Sequence, residues 1–136
     1  MNKKLFQAAC YLIAFGIILG AFAAHGLKDA FKIHSVQDAA YKLDVFEKGV
    51  KYHLFHAFAL MVLAFWASGF DPKRLRLAVI FMLLGIVLFS GSLYFLSTVD
   101  LTGLTSIKPA IGPVTPAGGL CFIASWLMLA YGLRKP

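Results

Sequence analysis

Charge is scarce in this chain, and negative charge scarcer still. Only 14% of its 136 residues are Asp, Glu, Lys or Arg, and six acidic residues face thirteen basic ones. A soluble domain carries about 25% charged residues, so water-facing surface of the usual kind is missing. Two cysteines cannot build a disulfide framework. Intrinsic disorder requires low hydrophobicity and is excluded. Nucleic-acid binding is excluded as well, because the net charge of +7 is not gathered on a soluble module. What the chain has in excess is apolar: 60% of residues, with a mean hydropathy of +0.80. The class that survives is a small integral membrane protein.

A helix crossing a hydrocarbon core of about 30 Å needs roughly 20 apolar residues. Four stretches qualify: about 5–24, with Gln7 its one strongly polar side chain; 52–69, containing His53 and His56; 77–97, without charge; and 114–133, with Pro116 near its start. Together they leave no room for a soluble domain. The fold expected is therefore all-α: one membrane domain over 1–136, an integral four-helix bundle. The first stretch also has signal-peptide traits, with Lys3 and Lys4 ahead of it and Ala21-Phe22-Ala23 near its end. Its apolar run is longer than a usual signal core, so it is expected to remain as a span.

Between the first two spans, residues 25–51 are too patterned for a plain loop. From Ser35 onward Val36, Ala39, Ala40, Leu43, Phe46 and Val50 recur at helical spacing. Ser35 and Asp38 suit a helix start, and Asp44–Lys48 and Glu47–Lys51 are favourable i,i+4 pairs. An amphipathic helix over about 35–51 is expected at the bilayer surface, bending near Gly49 or running directly into the second span. Lys and Arg in the flanks set the orientation. Lys3, Lys4, Lys73, Arg74, Arg76, Arg134 and Lys135 would lie on one side, against Lys28, Lys32, Lys42, Lys48, Lys51 and Lys108 on the other. The first group is denser near helix ends, which favours both termini in the cytoplasm.

Small residues mark close packing. Gly16 and Gly20 form a GxxxG pair that Ala24 extends, and Gly91, Gly118 and Gly119 serve similarly in the last two spans. Packing within the chain is favoured, with a second copy or another membrane protein as the other partners. Cys10 and Cys121 sit at levels about 12 Å apart if the spans alternate, too far for a disulfide. Both are expected to act as small apolar residues.

The unusual polar residues share one depth, on the face opposite the termini. His25 ends the first span, Glu47, Tyr52, His53 and His56 enter the second, Tyr94 and Ser97 close the third, and Thr115 and Pro116 open the fourth. A polar group at the depth of His56 needs a partner. Three readings stand. The histidines tie helices together, which is favoured. His53 and His56, with Glu47 or His25, share a metal, although no Glu-x-x-His ligand motif accompanies them and no metal or other cofactor is expected. Or histidine and carboxylate relay protons. Glu47 and His56 lie about 13 Å apart on an unbroken helix, so direct contact would need a bend. In the proline- and glycine-rich segment 107–119, Thr115 is the expected cap before Pro116.

Four segments carry a resemblance: AFGIILGAFAAHGLK (14–28), FEKGVKYHLFHAFAL (46–60), GSLYFLS (91–97) and VTPAGGLCFIASW (114–126). Together they resemble the bacterial membrane family named domain of unknown function 423, also UPF0382, related to the eukaryotic transmembrane protein 256 family. The resemblance implies a four-span protein of a bacterial inner membrane with no established activity. It carries over His25, Gly26, Glu47, Tyr52, His56, Gly91, Ser92, Tyr94, Pro116, Gly118 and Gly119. His53 stands where the family pattern has Gln, which weakens a paired-histidine metal site. Ser125 replaces a common Gly, and the third loop is longer than usual. The function expected is non-enzymatic: binding a lipid or small amphiphile, or pairing with a membrane protein or a second copy. A metal- or proton-handling site on His25, Glu47 and His56 is the alternative.

Overall fold

Asn2 accepts a hydrogen bond from the Leu5 N–H at 3.2 Å, closing the first turn of helix α1, Lys3–Ile33. The computed structural model describes residues 1–133; the basic tail residues Arg134 and Lys135 lie outside the described residues. Three more long helices follow: α2, Ala39–Trp66; α3, Pro72–Thr102; and α4, Val114–Gly132. Each lies within a helical segment long and apolar enough to cross a membrane. Among the described residues the sole β feature is a bridge between Phe70 and Leu133. The all-α four-span bundle expected from the sequence is what the chain forms.

The ends of the helices correct the sequence reading in detail. α1 does not stop at Ala24 but passes through a π-helical turn, Ala23–Leu27, and continues to Ile33. The chain then reverses within 34–38, where Ser35 (φ 48°) and Asp38 (φ 54°) take the left-handed conformation. That geometry is incompatible with a right-handed helix. The surface helix therefore begins at Ala39, not Ser35, and Asp38 makes no side-chain cap. From there α2 runs unbroken through Gly49 into the second span. Gly49 is no hinge: a Cβ there would lie 2.8 Å from the Tyr94 ring, so it makes room for an aromatic neighbour. Asp44 and Lys48 pair at 2.6 Å, whereas Lys51 leaves Glu47 and lies over the Phe55 ring instead. Farther on, Asp71 accepts from the Arg74 N–H at 2.9 Å, and Pro72 fills the first turn of α3. Thr115 is not a cap. It lies inside the first turn of α4, which follows Pro113, and its hydroxyl is spent on Ser92 at 2.7 Å.

α1 pairs with α2, and α3 with α4. The two pairs are joined because α3 changes neighbour along its length. Its first part, Pro72–Gly85, lies on α4, and its last part, Gly91–Thr102, on α2. The π-helical turn between them, Ile86–Ser90, touches both. Two apolar clusters result. One gathers Ala9, Leu60, Met82, Phe122 and Leu129. The other gathers Ala23, Leu27, Phe31, Phe46 and Val50 where the α1–α2 pair extends past the apolar runs. Ala23, Leu27 and Phe31 recur every four residues, the signal by which this extension could have been read. Outward-facing side chains remain apolar: Trp66 is 71% exposed, and Val87 and Leu120 are each 67% exposed. In water such a surface would aggregate; against acyl chains it is solvated.

Backbone ties close the end that carries the N-terminus: Asn2 N–H donates to Ala64 O at 2.7 Å, Asp71 N–H to Gly132 O at 2.8 Å, and the Arg74 guanidinium to Tyr131 O. At the opposite end, Lys42 and Lys108 meet Asp100 at 2.6 and 2.9 Å. Asp100 lies beyond the apolar run of α3. Bonding to Lys42, then to Lys108, holds its carboxyl below the usual carboxylate range.

The closest approach of one helix backbone to a glycine of another is at Gly118. A Cβ there would stand 2.3 Å from the Phe89 backbone nitrogen and 2.8 Å from the Leu88 carbonyl carbon, rigid atoms that cannot step aside. Gly16 faces Leu54 of the same chain, whose flexible side chain would lie 2.6 Å from a Cβ. Gly20, Gly91 and Gly119 are looser: the nearest atoms to a Cβ stand at 3.5 Å from Gly20 and 3.7 Å from Gly119, and nothing lies within 4 Å of Gly91. Cys10 and Cys121 are free and half-buried. Gly118→Ala is expected to cost about 1–3 kcal/mol by overpacking, while Gly20→Ala leaves stability nearly unchanged. Thermal unfolding of the two variants in detergent, side by side, checks the contrast.

Candidate functional site

α2 carries both buried histidines, His53 at 2% and His56 at 5% exposure. Three residues apart on a helix, they point to neighbouring sectors and meet different partners. His56 faces α4. Its Nδ1 lies 2.7 Å from the Tyr52 carbonyl one turn back, and its Nε2 lies 3.2 Å from Trp126 Nε1. A carbonyl only accepts and an indole N–H only donates, so these partners fix the neutral imidazole with its proton on Nδ1. The Phe122 ring stacks flat on it, centroids 3.5 Å apart at 11°. Both nitrogens and one face of His56 are thus occupied.

His53 faces α1 and α3. Its Nδ1 lies 3.2 Å from the Tyr94 hydroxyl, within hydrogen-bonding distance. Its Nε2 is buried without a hydrogen-bond partner. Tyr94 in turn packs on Phe46, centroids 4.8 Å apart, in the space left by Gly49. Near the start of α4, Ser92 Oγ bridges the Phe89 carbonyl at 2.9 Å and Thr115 Oγ1 at 2.7 Å. The polar layer is therefore a set of separate cross-helix ties.

Of the residues singled out from sequence, Tyr52 and His56 come together through a backbone bond, and Tyr94 joins His53 instead of His56. Tyr52 is 42% exposed, with its ring 4.8 Å from that of Phe89. His25, in the π-helical turn of α1, and Glu47, on α2, are both exposed and bond to neither histidine. The straight course of α2 keeps Glu47 away from His56, as the spacing of nine residues requires. Among the described residues no three His, Cys, Asp or Glu side chains are grouped closely enough to hold a metal ion. His53 and His56 have their Nδ1 atoms committed to different helices.

Trp126 and Phe122 were not singled out from sequence, yet they are the cross-helix partners of His56. Their signal is a seam on α4: Gly118, Phe122, Ser125, Leu129 and Gly132 are buried at alternating spacings of four and three. Trp126, four residues after Phe122, borders that seam.

Four apolar helices, small residues at one crossing and hydrogen-bonded polar side chains between helices define a multi-pass membrane protein. The model of the family described as "Protein of unknown function (DUF423)" matches residues 19–119. The UPF0382 membrane protein YwdK of Bacillus subtilis is 41% identical over 91% of this chain and 89% of its own length. A UPF0382 membrane protein of Haemophilus influenzae is 38% identical over 99% of the chain and 97% of its own length. That of Staphylococcus haemolyticus, SH2409, is 38% identical over 94% and 91%. This chain belongs to that family. No solved structure matches it.

Trp126→Phe keeps an aromatic ring and removes the donor to His56 Nε2. It is expected to cost about 0.5–2 kcal/mol, the range of interhelical hydrogen bonds in membranes. His56→Ala, which also empties the stack on Phe122, is expected to cost more. Thermal unfolding in detergent measures both, and equal stability of all three proteins would remove the tie described here.

Proposed function

We propose that this protein acts without catalysing a reaction, as a multi-pass protein of a bacterial inner membrane that engages a lipid or other small amphiphile. The observation that carries this reading is the state of His56: both nitrogens are bonded and its ring is covered by Phe122. A group so committed has no lone pair left for a metal or a substrate. The alternative centre on His25, Glu47 and His56 would have to unite two exposed side chains with a buried one already in use. Surface open to a ligand lies elsewhere, on apolar flanks with basic rims.

The orientation that goes with this reading has both termini in the cytoplasm, where Lys3, Lys4, Lys73, Arg74 and Arg76 crowd the membrane edge. A reporter fused after residue 136 is expected to be active in the cytoplasm and silent outside it. Native mass spectrometry of the purified protein, taken through delipidating detergent washes, tests the amphiphile. Lipid-mass adducts that survive the washes are expected in the wild type and in Trp126→Phe alike. A protein free of such adducts that instead takes up zinc stoichiometrically, and loses it with His56→Ala, would overturn the reading.

A further inference from the structure

Resting on that reading, we infer that the α1–α2 extension holds a binding site for a long-chain fatty carboxylate. Lys28, Asp29 and Lys32 of α1 form one wall of a groove of about 630 Å³, and Val36 and Leu43 lie across the reversal, with Phe31 at the floor. A cavity of this volume takes a drug-sized molecule or a single acyl chain rather than a two-chain phospholipid.

Position and charge name the occupant. Lys28 stands four residues beyond Ala24, about 6 Å past the end of the apolar run, and Lys32 about 12 Å past it. The headgroup layer on each side of a bilayer is about 5–8 Å deep, so the wall rises through it. The floor is continuous with the acyl layer. Phe31 and Leu43 belong to the apolar cluster that reaches Leu19 inside the first span. A chain can therefore enter from the bilayer without crossing water, its head rising between the two lysines. Asp29 reduces the rim from two positive charges to one. One net charge matches a carboxylate, whereas a phosphate monoester brings close to two negative charges. The reversal that shapes the far wall holds Ser35 and Asp38 in left-handed conformation, which keeps α1 and the start of α2 at a fixed spacing.

The test uses the full chain in nanodiscs of phosphatidylcholine with a diazirine-bearing palmitate. After illumination, adducts are mapped by peptide mass spectrometry. Adducts are expected within residues 28–43 of the wild type, displaced by unlabelled palmitate and poorly by lysophosphatidate. Lys28→Gln with Lys32→Gln removes both charge-assisted bonds from exposed positions. It is expected to lower labelling by at least about tenfold, because the loss of one such bond is worth roughly tenfold and two are removed. Val36→Trp, which fills the groove without altering its charge, is expected to lower it similarly. Adducts confined to the spans, labelling unchanged in both variants, or lysophosphatidate competing as well as palmitate would each overturn the site. Wash-resistant lipid adducts without groove labelling would remove this site and leave the broader reading standing; absence of both would remove both.

Discussion

Inside a hydrocarbon layer no water is available to bond a peptide group, so every backbone N–H and C=O must find its partner within the chain. The course of this polypeptide follows from that demand. Its apolar runs have one solution each, an uninterrupted helix. Non-helical backbone is confined to the ends, where the chain can reach water or a tie. Asn2 and Asp71 accept from exposed N–H groups, Gly103 at φ 72° releases the end of α3, and cross-helix backbone bonds join residue 2 to Ala64 and Asp71 to Gly132. The same demand reaches the side chains. The hydroxyls of Ser97 and Thr98 bond back to carbonyls of their own helix, at 2.7 and 2.8 Å. His56 does both, bonding back to the Tyr52 carbonyl through Nδ1 and across to Trp126 through Nε2.

The spans were legible because hydropathy over 20 residues is a strong signal that tertiary context does not reverse. The α2 stripe of Ala39, Leu43, Phe46 and Val50 was legible for a similar reason, its period being fixed by the helix itself. Boundaries were not. Ser35 and Asp38 are residue types that cap helices and also tolerate left-handed backbone, and the choice between these uses is made by the tertiary fold. Thr115 offers the same lesson: a hydroxyl before a proline suits a cap, but a buried Ser92 hydroxyl claimed it first.

The polar layer was half legible. Depth placed His25, Tyr52, His56 and Tyr94 near one level, and a buried histidine needs a partner. Which partner depends on rotation about the helix axis and on the neighbour's register, and neither is written in one segment. Hence Tyr94 belongs to His53, and His56 to Trp126, a residue whose indole reads as ordinary bulk until α4 is set beside α2. Gly118 shows the converse. Its role was readable from the small-residue run Ala117-Gly118-Gly119, while the looser surroundings of Gly91 were not, because a missing Cβ looks alike whether a backbone or empty space lies beyond it.

The π-helical turn at Ile86–Ser90 accommodates one residue more than an α-helix of the same height. Each residue of an α-helix advances the side-chain direction by about 100°, so the two halves of α3 are out of phase with each other by roughly that angle. This offset lets one helix serve two neighbours, presenting Ala78, Met82 and Gly85 to α4 and then Tyr94 to His53, Phe46 and Gly49 of α2. Chain length in this five-residue window is therefore fixed in a way that the third loop's length is not. Removing one residue there would swing every later side chain of α3 off its partner, while the same deletion among residues 104–112 would shorten a connection and disturb at most the Lys108–Asp100 pair.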